Sequence, residues 1–306
     1  MSAKTRKPTG GGASSRGRAL PRDAAWGYLL TAPTVLGLFV LNVYPFIQTL
    51  ILSFSRTQAF GASTFNGLAN YTRMFANAEF WRATWNTLYF CLLTVPVGVF
   101  LSLLVAVLLN QGVRGRSFFR AVYFLPMVVP PAAVALVWKW MFNARYGVIN
   151  ALLGLSVRWV TDPALVILSC AIVAIWSAIG YDAVLLLSGI QSISPTYYEA
   201  AELDGASALQ RFFKITLPLI SPTLFFVIIL RVMASLKVYD LIYMMVEQSN
   251  PALPYAQSLM YLFYRESFII GDKGFGSAIV VWTVLLIGVT TLFQFTSQQR
   301  WVHYES

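Results

Sequence analysis

Residues 192–222 read SISPTYYEAAELDGASALQRFFKITLPLISP, a polar and acidic stretch that separates two long apolar runs. Ser194, which stands directly before a proline, is typical of a helix start. Gly205 is typical of a helix end, because glycine adopts left-handed backbone conformations without steric cost. Ser207 and Gln210 have the spacing of a capping box, which starts a second helix. The pattern predicts two short helices that meet at a bend.

A bent helical pair of this kind can serve one of two purposes at a membrane surface. Ala200 and Ala201 leave one side of the first helix nearly bare, so that another backbone can approach it closely. Glu199, Glu202 and Asp204 supply negative charge beside that bare side. These features suit a helix that lies in a groove of a partner protein. An ordinary amphipathic loop at the membrane interface would show the same pattern, so the residue types alone leave both interpretations open.

The order of the residues resembles the EAA loop of the permease subunits of ABC importers. The resemblance lies in a Glu-Ala-Ala triplet, a glycine at the family's spacing after it, and an Ile-x-Leu-Pro further on. In this chain the matching residues are Glu199, Ala200, Ala201, Asp204, Gly205, Ala206, Ile215, Leu217 and Pro218. The resemblance implies that these residues couple the chain to a cytoplasmic ATPase subunit. Residues 192–220 are therefore called the coupling loop below.

The composition indicates a membrane protein. Of the 306 residues, 58% are hydrophobic and 11% are charged, whereas about a quarter of the residues of a soluble domain carry charge. The net charge of +10 does not indicate nucleic-acid binding, because basic residues concentrate in the first 22 positions and form no stripe with aromatic residues elsewhere. Cys91 and Cys170 lie in apolar runs and are interpreted as small apolar side chains, with no metal or disulfide role.

The apolar runs predict an all-α integral membrane protein with six transmembrane helices, since each run can cross a core of ~30 Å. The predicted spans are about 26–54, 88–109, 121–142, 164–191, 221–246 and 277–295. The predicted domains are a disordered basic tail (1–23), a transmembrane permease domain (24–296) and a short polar tail (297–306). The basic first tail favours an N-in/C-in orientation, with the coupling loop on the cytoplasmic side.

A second set of residues resembles the maltose-type carbohydrate branch of the same family. The segment before the second span carries Gly67-Leu68-Ala69-Asn70-Tyr71, then Phe80-Trp81 and Asn86-Thr87. The resemblance extends from about Trp26 to Phe295 and implies the type I ABC importer permease fold. The residues from Val246 to Pro251 depart from the sugar branch's usual pattern. The predicted substrate is a sugar or oligosaccharide, and glycerol 3-phosphate or a glycerophosphodiester is the alternative.

Two charged residues fall inside predicted spans. Asp182 and Arg231 lie at similar distances from the inner ends of the fourth and fifth spans, so they are predicted to form an interhelical pair. A pair of this kind can be a structural tie, or it can take part in gating or substrate binding.

A group of aromatic and acidic residues on the fourth and fifth spans is predicted to line the substrate pathway. Aromatic faces with a few polar groups suit a polyhydroxylated ligand, although simple packing would explain the same residues. The resemblance places the family's pathway along spans four to six. The candidates are Trp176, Tyr181, Tyr239, Asp240 and Tyr243.

The sequence does not indicate an enzyme. His303 is the single histidine, and the chain has no HExxH, GxSxG or Walker A motif. The chain is therefore expected to bind no metal or cofactor of its own. The resemblance implies that ATP and magnesium are bound by partner ATPase subunits. A secondary carrier is the alternative from another class. Two absences from the sequence argue against it: a charged proton or sodium relay beyond the few residues named above, and two matching Gly/Pro-broken half-helices in an inverted repeat.

These observations predict the inner-membrane permease subunit of a binding-protein-dependent ABC importer in the bacterial plasma membrane. The resemblance implies four kinds of partner. They are a second homologous permease subunit, two ATPase subunits, an extracytoplasmic solute-binding protein and the small-molecule substrate, all assembled around the lipid bilayer.

Overall fold

The computed structural model describes residues 21–57, 63–111, 122–123, 125–126 and 128–302, and it is mainly helical. The packing of Cα atoms divides the chain after Gln48 into two compact units. The first unit contains α1 (Pro21–Leu38), a π-helical turn (Phe39–Val43) and the beginning of α2 (Tyr44–Ser53). The predicted tail at residues 1–23 lies almost wholly outside the described residues.

In the second unit, the end of α2 is followed by a short antiparallel pair that the sequence did not predict, β1 (Ser55–Thr57) and β2 (Ser63–Phe65). The helices before the coupling loop are α3 (Ala69–Ala76), α4 (Ala78–Asn110), α5 (Pro131–Met141), α6 (Val148–Leu153) and α7 (Val166–Gln191). The coupling loop contains α8 (Pro195–Leu203), α9 (Ala208–Arg211), a π-helical turn (Phe212–Thr216) and α10 (Leu217–Leu219). The remaining elements are α11 (Ser221–Leu236), α12 (Asp240–Met245), α13 (Leu253–Ala256), α14 (Leu259–Tyr264), a π-helical turn (Arg265–Ile270) and α15 (Lys273–Gln298).

Four helices in the described part of the chain are long and apolar enough to cross a membrane, and a bent pair makes a fifth candidate. The four are Trp26–Ser53, Ala78–Asn110, Val166–Gln191 and Lys273–Gln298. The bent pair is Ala208–Leu219 with Ser221–Leu236, at an angle of 68°. Part of the predicted third span, 121–142, lies outside the described residues, and its described helix α5 has 11 residues. The count of six spans and the N-in/C-in orientation therefore stay predictions.

The predicted fifth span, 221–246, is not one continuous helix. Helix α11 ends at Leu236, and α12 begins at Asp240. The carbonyl oxygen of Val238 accepts a hydrogen bond of 2.6 Å from the hydroxyl of Ser258, which replaces the bond that a continuous helix would make. The contact comes from a residue 20 positions away, so the local sequence carries no sign of the break and predicts an uninterrupted helix.

The core of the second unit is a bundle in which α4 packs along α7 and α11 packs against both. The close approach of α7 to α11 depends on Gly189, since a Cβ atom at that position would lie 2.7 Å from Oγ1 of Thr223. Helices α4 and α11 are joined by a hydrogen bond of 2.8 Å between the hydroxyls of Thr94 and Ser235. Buried leucines and other aliphatic residues fill the space between these helices.

Hydrogen bonds from the beginning of α4 hold the segment around α13 against the bundle. The amide nitrogen of the Asn86 side chain donates to the carbonyls of Pro254 and Gln257, at 3.0 and 3.1 Å. The hydroxyl of Thr87 accepts from the backbone N–H of Leu259 at 3.0 Å. Since Asn86 and Thr87 are buried, these bonds are shielded from water and position the chain between α11 and α14.

Candidate functional site

The coupling loop has the two-helix form that its sequence predicts. The hydroxyl of Ser194 accepts from the backbone N–H of Thr196 at the start of α8. Gly205 has a φ of 72°, in the left-handed region, and turns the chain after α8. Ser207 and Gln210 form the reciprocal hydrogen bonds of a capping box at the start of α9. Both helix starts are therefore capped, and the bend between them is at the glycine.

One side of the coupling loop is attached to the bundle. The phenolic oxygen of Tyr198 lies 3.0 Å from Oγ1 of Thr216, and its ring packs against the aliphatic core of α4, α7 and α11. Glu202 forms an ion pair with Arg211, which links α8 to α9 across the bend. These contacts make the two short helices a single body that rests on the C-terminal end of α7.

The other side of the coupling loop is open. Glu199, Ala200, Asp204 and Gly205 are exposed, and the Leu203 side chain is 91% exposed. The remaining predicted coupling residues are half-buried. They are Ala201, Ala206, Ile215, Leu217 and Pro218. The loop therefore presents bare backbone, negative charge and exposed leucines outward, which is the combination that a helix-binding groove recognises.

A cavity of about 400 Å³ lies between α4, α5, α7 and α11. Its polar lining comes from the hydroxyls of Thr94, Ser177 and Ser235 and from the residues around the end of α11. The latter are Arg231, Lys237, Tyr239 and Asp240. Its size is in the range of small-molecule sites, about 300–1,000 Å³. The cavity is walled by the helices that adjoin the coupling loop.

The predicted pair of Asp182 and Arg231 is present in the structure. Nε of Arg231 lies 2.6 Å from Oδ2 of Asp182, and the aspartate side chain has no exposed surface. The contact joins α7 to α11, and it places a guanidinium in the cavity wall with its charge already neutralised. The buried carboxylate of Asp182 depends on the half-buried guanidinium of Arg231, because an unpaired buried charge is costly.

Four tyrosines form a cluster beyond the end of α11. The ring centroids of Tyr239 and Tyr243 are 5.3 Å apart. The ring of Tyr264 lies 5.0 Å from Tyr239 and 5.3 Å from Tyr243, and Tyr261 lies 6.0 Å from Tyr243. Tyr261 and Tyr264 were not predicted, although their spacing on α14 placed them on one helical face.

The five predicted pathway residues are not all in one place. Tyr239 and Asp240 line the cavity, and Tyr243 lies beside Tyr239 in the tyrosine cluster. Trp176 is 41% exposed and packs against Trp138 at 5.5 Å between ring centroids. Tyr181 is half-buried on α7 and, like Trp176, is not among the residues that line the cavity. The part of the chain that the structure describes holds no cluster of three potential metal ligands.

Comparison with known proteins identifies the family. Residues 79–303 match the family described as the binding-protein-dependent transport system inner membrane component. The chain belongs to this family. The matched region contains the coupling loop and the cavity, and the resemblance noted from the sequence is therefore confirmed.

Individual relatives agree with this assignment. The trehalose/maltose transport system permease protein MalF of Thermococcus litoralis is 35% identical over 271 residues, which cover 87% of this chain and 91% of the relative. The sn-glycerol-3-phosphate transport system permease protein UgpA of Agrobacterium fabrum is 32% identical and covers 90% of this chain and 96% of the relative. This protein is thus an inner-membrane transport component.

A solved structure supports the fold. A chain of a bacterial alginate ABC transporter, crystallised in complex with an alginate pentasaccharide-bound periplasmic protein, superposes with a TM-score of 0.81. The two chains are 24% identical, and the match covers 91% of this chain and 95% of the other. The helical arrangement described above is therefore that of an ABC importer permease.

Proposed function

We propose that the protein is one of two homologous permease subunits of an ABC importer that moves a carbohydrate across the bacterial plasma membrane. In this proposal six spans cross the membrane with both termini inside. Two separate ATPase subunits bind ATP and magnesium, and an extracytoplasmic solute-binding protein delivers the substrate. The observation that carries the proposal is the coupling loop, whose capped helices are exposed on one side and attached to the bundle on the other.

The contacts around the coupling loop suggest how movement reaches the cavity. Helix α7 ends directly before the loop, and the bent segment that leads into α11 follows it. The close contact of Gly189 with Thr223 and the pair of Asp182 with Arg231 hold α7 and α11 together. A push on the loop would therefore tilt both helices as one body and change the opening of the cavity between them.

The energetic demand on this connection is moderate. Moving a solute against each tenfold concentration gradient costs about 1.4 kcal/mol. A connection made only of exposed contacts would yield under such a load. The half-buried ring of Tyr198, which packs against the bundle, and the interhelical ion pair provide the stiffness that transmission requires.

A carbohydrate is favoured as the substrate over a phosphate ester. Three of the four tyrosines are half-buried and offer aromatic faces and hydroxyl groups to a polyhydroxylated ligand, namely Tyr239, Tyr243 and Tyr264. The fourth, Tyr261, is buried and packs against Tyr243. In the cavity, Arg231 is paired with Asp182, and Lys237 is accompanied by Asp240, so the described lining has no excess of positive charge. A relative named for maltose and trehalose agrees with this preference, whereas the relative named for glycerol 3-phosphate keeps that alternative open to test.

The proposal is tested by two separate substitutions in the coupling loop, one that reverses a charge and one that changes the backbone at the bend. Glu199→Lys, and separately Gly205→Pro, should leave the chain in the membrane but lower the ATP hydrolysis that the loaded solute-binding protein stimulates in the reconstituted importer. A loss of about 1.4 kcal/mol of docking free energy would lower it tenfold. Gln299→Lys introduces a lysine at an exposed position outside the loop. It is the control variant, and normal hydrolysis is expected.

Two results would contradict the proposal. Normal stimulation in both loop variants would remove the coupling role from this segment. Uptake that depends on a proton or sodium gradient and needs no ATPase subunit would identify a secondary carrier instead.

A further inference from the structure

A second cavity, of about 410 Å³, lies at the end of α7 that is remote from the coupling loop. It is bordered by the end of α5, by the loop over residues 143–165 and by the chain after α12. Helix α7 connects this loop to the coupling loop through 26 residues, a length of about 39 Å at the usual helical rise. If the coupling loop is cytoplasmic, the cavity therefore opens on the outer face.

The walls of this outer cavity are rigidly built. The side-chain amide of Asn150, which is 5% exposed, donates to the carbonyls of Ala144 and Val157 at 3.2 and 2.8 Å. Its oxygen accepts from Nε1 of Trp159 at 2.8 Å. One buried asparagine thus joins three points of the loop, which fixes the loop's shape in the absence of any ligand.

The loop is also tied to the neighbouring elements. The side-chain amide of Asn250 donates to the carbonyl of Val160 at 3.0 Å, and the hydroxyl of Ser169 donates to the carbonyl of Trp159 at 2.8 Å. These bonds hold the loop to the chain after α12 and to α7. A surface that is preorganised in this way loses little conformational entropy when a partner binds.

The charges in the outer cavity are not balanced. Its described lining contains three cations, Lys139, Arg145 and Arg158, and one anion, Glu247. Nζ of Lys139 lies 2.7 Å from Oε1 of Glu247, and this hydrogen bond lowers the pKa of the Glu247 carboxyl. Arg145 and Arg158 are exposed and have no acidic partner among the described residues. The cavity therefore offers two free guanidinium groups beside the rings of Tyr146 and Trp159.

The first cavity, between α4, α5, α7 and α11, is called the membrane cavity here, and its contrast with the outer cavity indicates what these arginines recognise. The cations that line the membrane cavity are accompanied by Asp182 and Asp240, so nothing there selects a negatively charged solute. An anionic solute would need compensation along its whole path. Two free arginines confined to the outer end fit better with a negatively charged partner that remains outside, since guanidinium groups bind carboxylates with two parallel hydrogen bonds.

We propose that the outer cavity receives acidic side chains of the solute-binding protein, with Arg145 and Arg158 as its ligands. This inference rests on the proposed function, because only an importer of this family requires such a partner. The charge of the pair sets the association rate and the register of docking, as rim charges do at other interfaces. This docking contact is independent of which solute the solute-binding protein carries.

The test is direct binding of the purified cognate solute-binding protein to the assembled transporter in lipid nanodiscs. Arg145→Gln and Arg158→Gln should each weaken binding roughly threefold, and the double variant roughly tenfold, as expected for exposed ion pairs. The affinity of the wild type should fall with added salt more steeply than that of the double variant. Lys273→Gln removes an exposed cation from the start of α15, outside the cavity, and should leave the affinity unchanged.

The outcomes separate this inference from the proposed function. Unchanged affinity and unchanged salt dependence in the double variant would overturn the inference, even if ATP-driven uptake proceeds normally. Unchanged affinity of the partner together with a loss of uptake confined to anionic sugars would also overturn it, and would assign the arginines to the solute. A charge swap would establish the inference. Arg158→Asp should weaken binding, and replacing an acidic residue of the partner with arginine should restore it.

Discussion

The phenolic oxygen of Tyr198 and Oγ1 of Thr216 lie 3.0 Å apart, which closes the coupling loop between its first helix and the turn that leads to α11. Tyr198 stands next to Glu199, one of the residues proposed to contact the ATPase. The hydrogen bond therefore connects the proposed contact surface to the chain segment that enters the bundle. A force applied to α8 reaches α11 through this contact as well as through the backbone.

Removing this hydrogen bond should weaken coupling without unfolding the chain. Tyr198→Phe keeps the ring in the core and deletes the hydroxyl, at a cost of about 1 kcal/mol. We expect a reduced ratio of solute transported to ATP hydrolysed in the reconstituted importer. Tyr197→Phe, at a neighbouring exposed ring, is the control and should keep the normal ratio. If Tyr198→Phe and Thr216→Val both transport with the normal ratio, this contact has no part in coupling.

Asp182→Asn should destabilise the protein, because it leaves the guanidinium of Arg231 without its partner. Breaking a buried pair of this kind costs about 3–5 kcal/mol, and thermal unfolding in detergent should show a clear decrease in Tm. The double variant Asp182→Leu/Arg231→Met replaces both charges by apolar groups and should recover most of the lost stability.

The same double variant distinguishes a structural tie from a role in transport. If the pair serves only to hold α7 against α11, uptake should recover together with Tm. If Arg231 acts in the cavity that it lines, Tm should recover while uptake stays low. Failure of the double variant to regain stability would show that the pair contributes more than charge neutralisation.

Gly189→Ala should separate α7 from α11. The added Cβ would lie 2.7 Å from Oγ1 and 3.0 Å from Cβ of Thr223, and relief of such overpacking costs about 1–3 kcal/mol. We expect a lower Tm and reduced uptake, with partial recovery when Thr223→Ala is added. Gly288→Ala, inside α15, meets no atom within 4 Å and should leave Tm unchanged or slightly raised. Equal Tm values for the two glycine variants would refute the close contact.

Tyr264→Ala should weaken substrate binding if the tyrosine cluster contacts the sugar. Loss of one ring from an aromatic cluster is worth about 0.5–1.5 kcal/mol, so the substrate concentration for half-maximal uptake should rise roughly two- to tenfold. Tyr255→Ala removes a ring that is 48% exposed and lies outside the cluster, and it should have little effect. A change in maximal uptake alone, with the half-maximal concentration unaltered, would argue against direct contact.

The two-helix form of the coupling loop could be predicted from the sequence because local interactions determine it. Caps and a left-handed glycine act within a few residues, and Ser207, Gln210 and Gly205 adopt the conformations that their types favour. The pairing of Asp182 with Arg231 was also predictable, since depth in the membrane leaves few partners for a charge. In each case the deciding interaction was visible in the residue types themselves.

Features that depend on long-range hydrogen bonds could not be predicted. The break after Leu236 follows from a hydroxyl twenty residues away, at Ser258. The strand pair β1–β2 adjoins Asn70, whose side-chain amide donates to the carbonyls of Ser53 and Ser55 at 2.9 Å each. Asn70 belongs to the motif before the second span, so this part of the family resemblance has a structural cause that became visible only in the fold.

The hydrogen bonds of Asn86 and Thr87 have a mechanical consequence. They fasten the start of α4, which is remote from the coupling loop, to the chain around α13, whereas the coupling loop at the opposite end of the bundle presents an open side to its surroundings. Under the proposed function, the fastened ends would act as a pivot, and a small rotation there would give the largest displacement at the coupling loop. A large displacement of the coupling loop by the proposed ATPase subunits would accordingly produce a smaller displacement at the cavity, with a larger force on the solute.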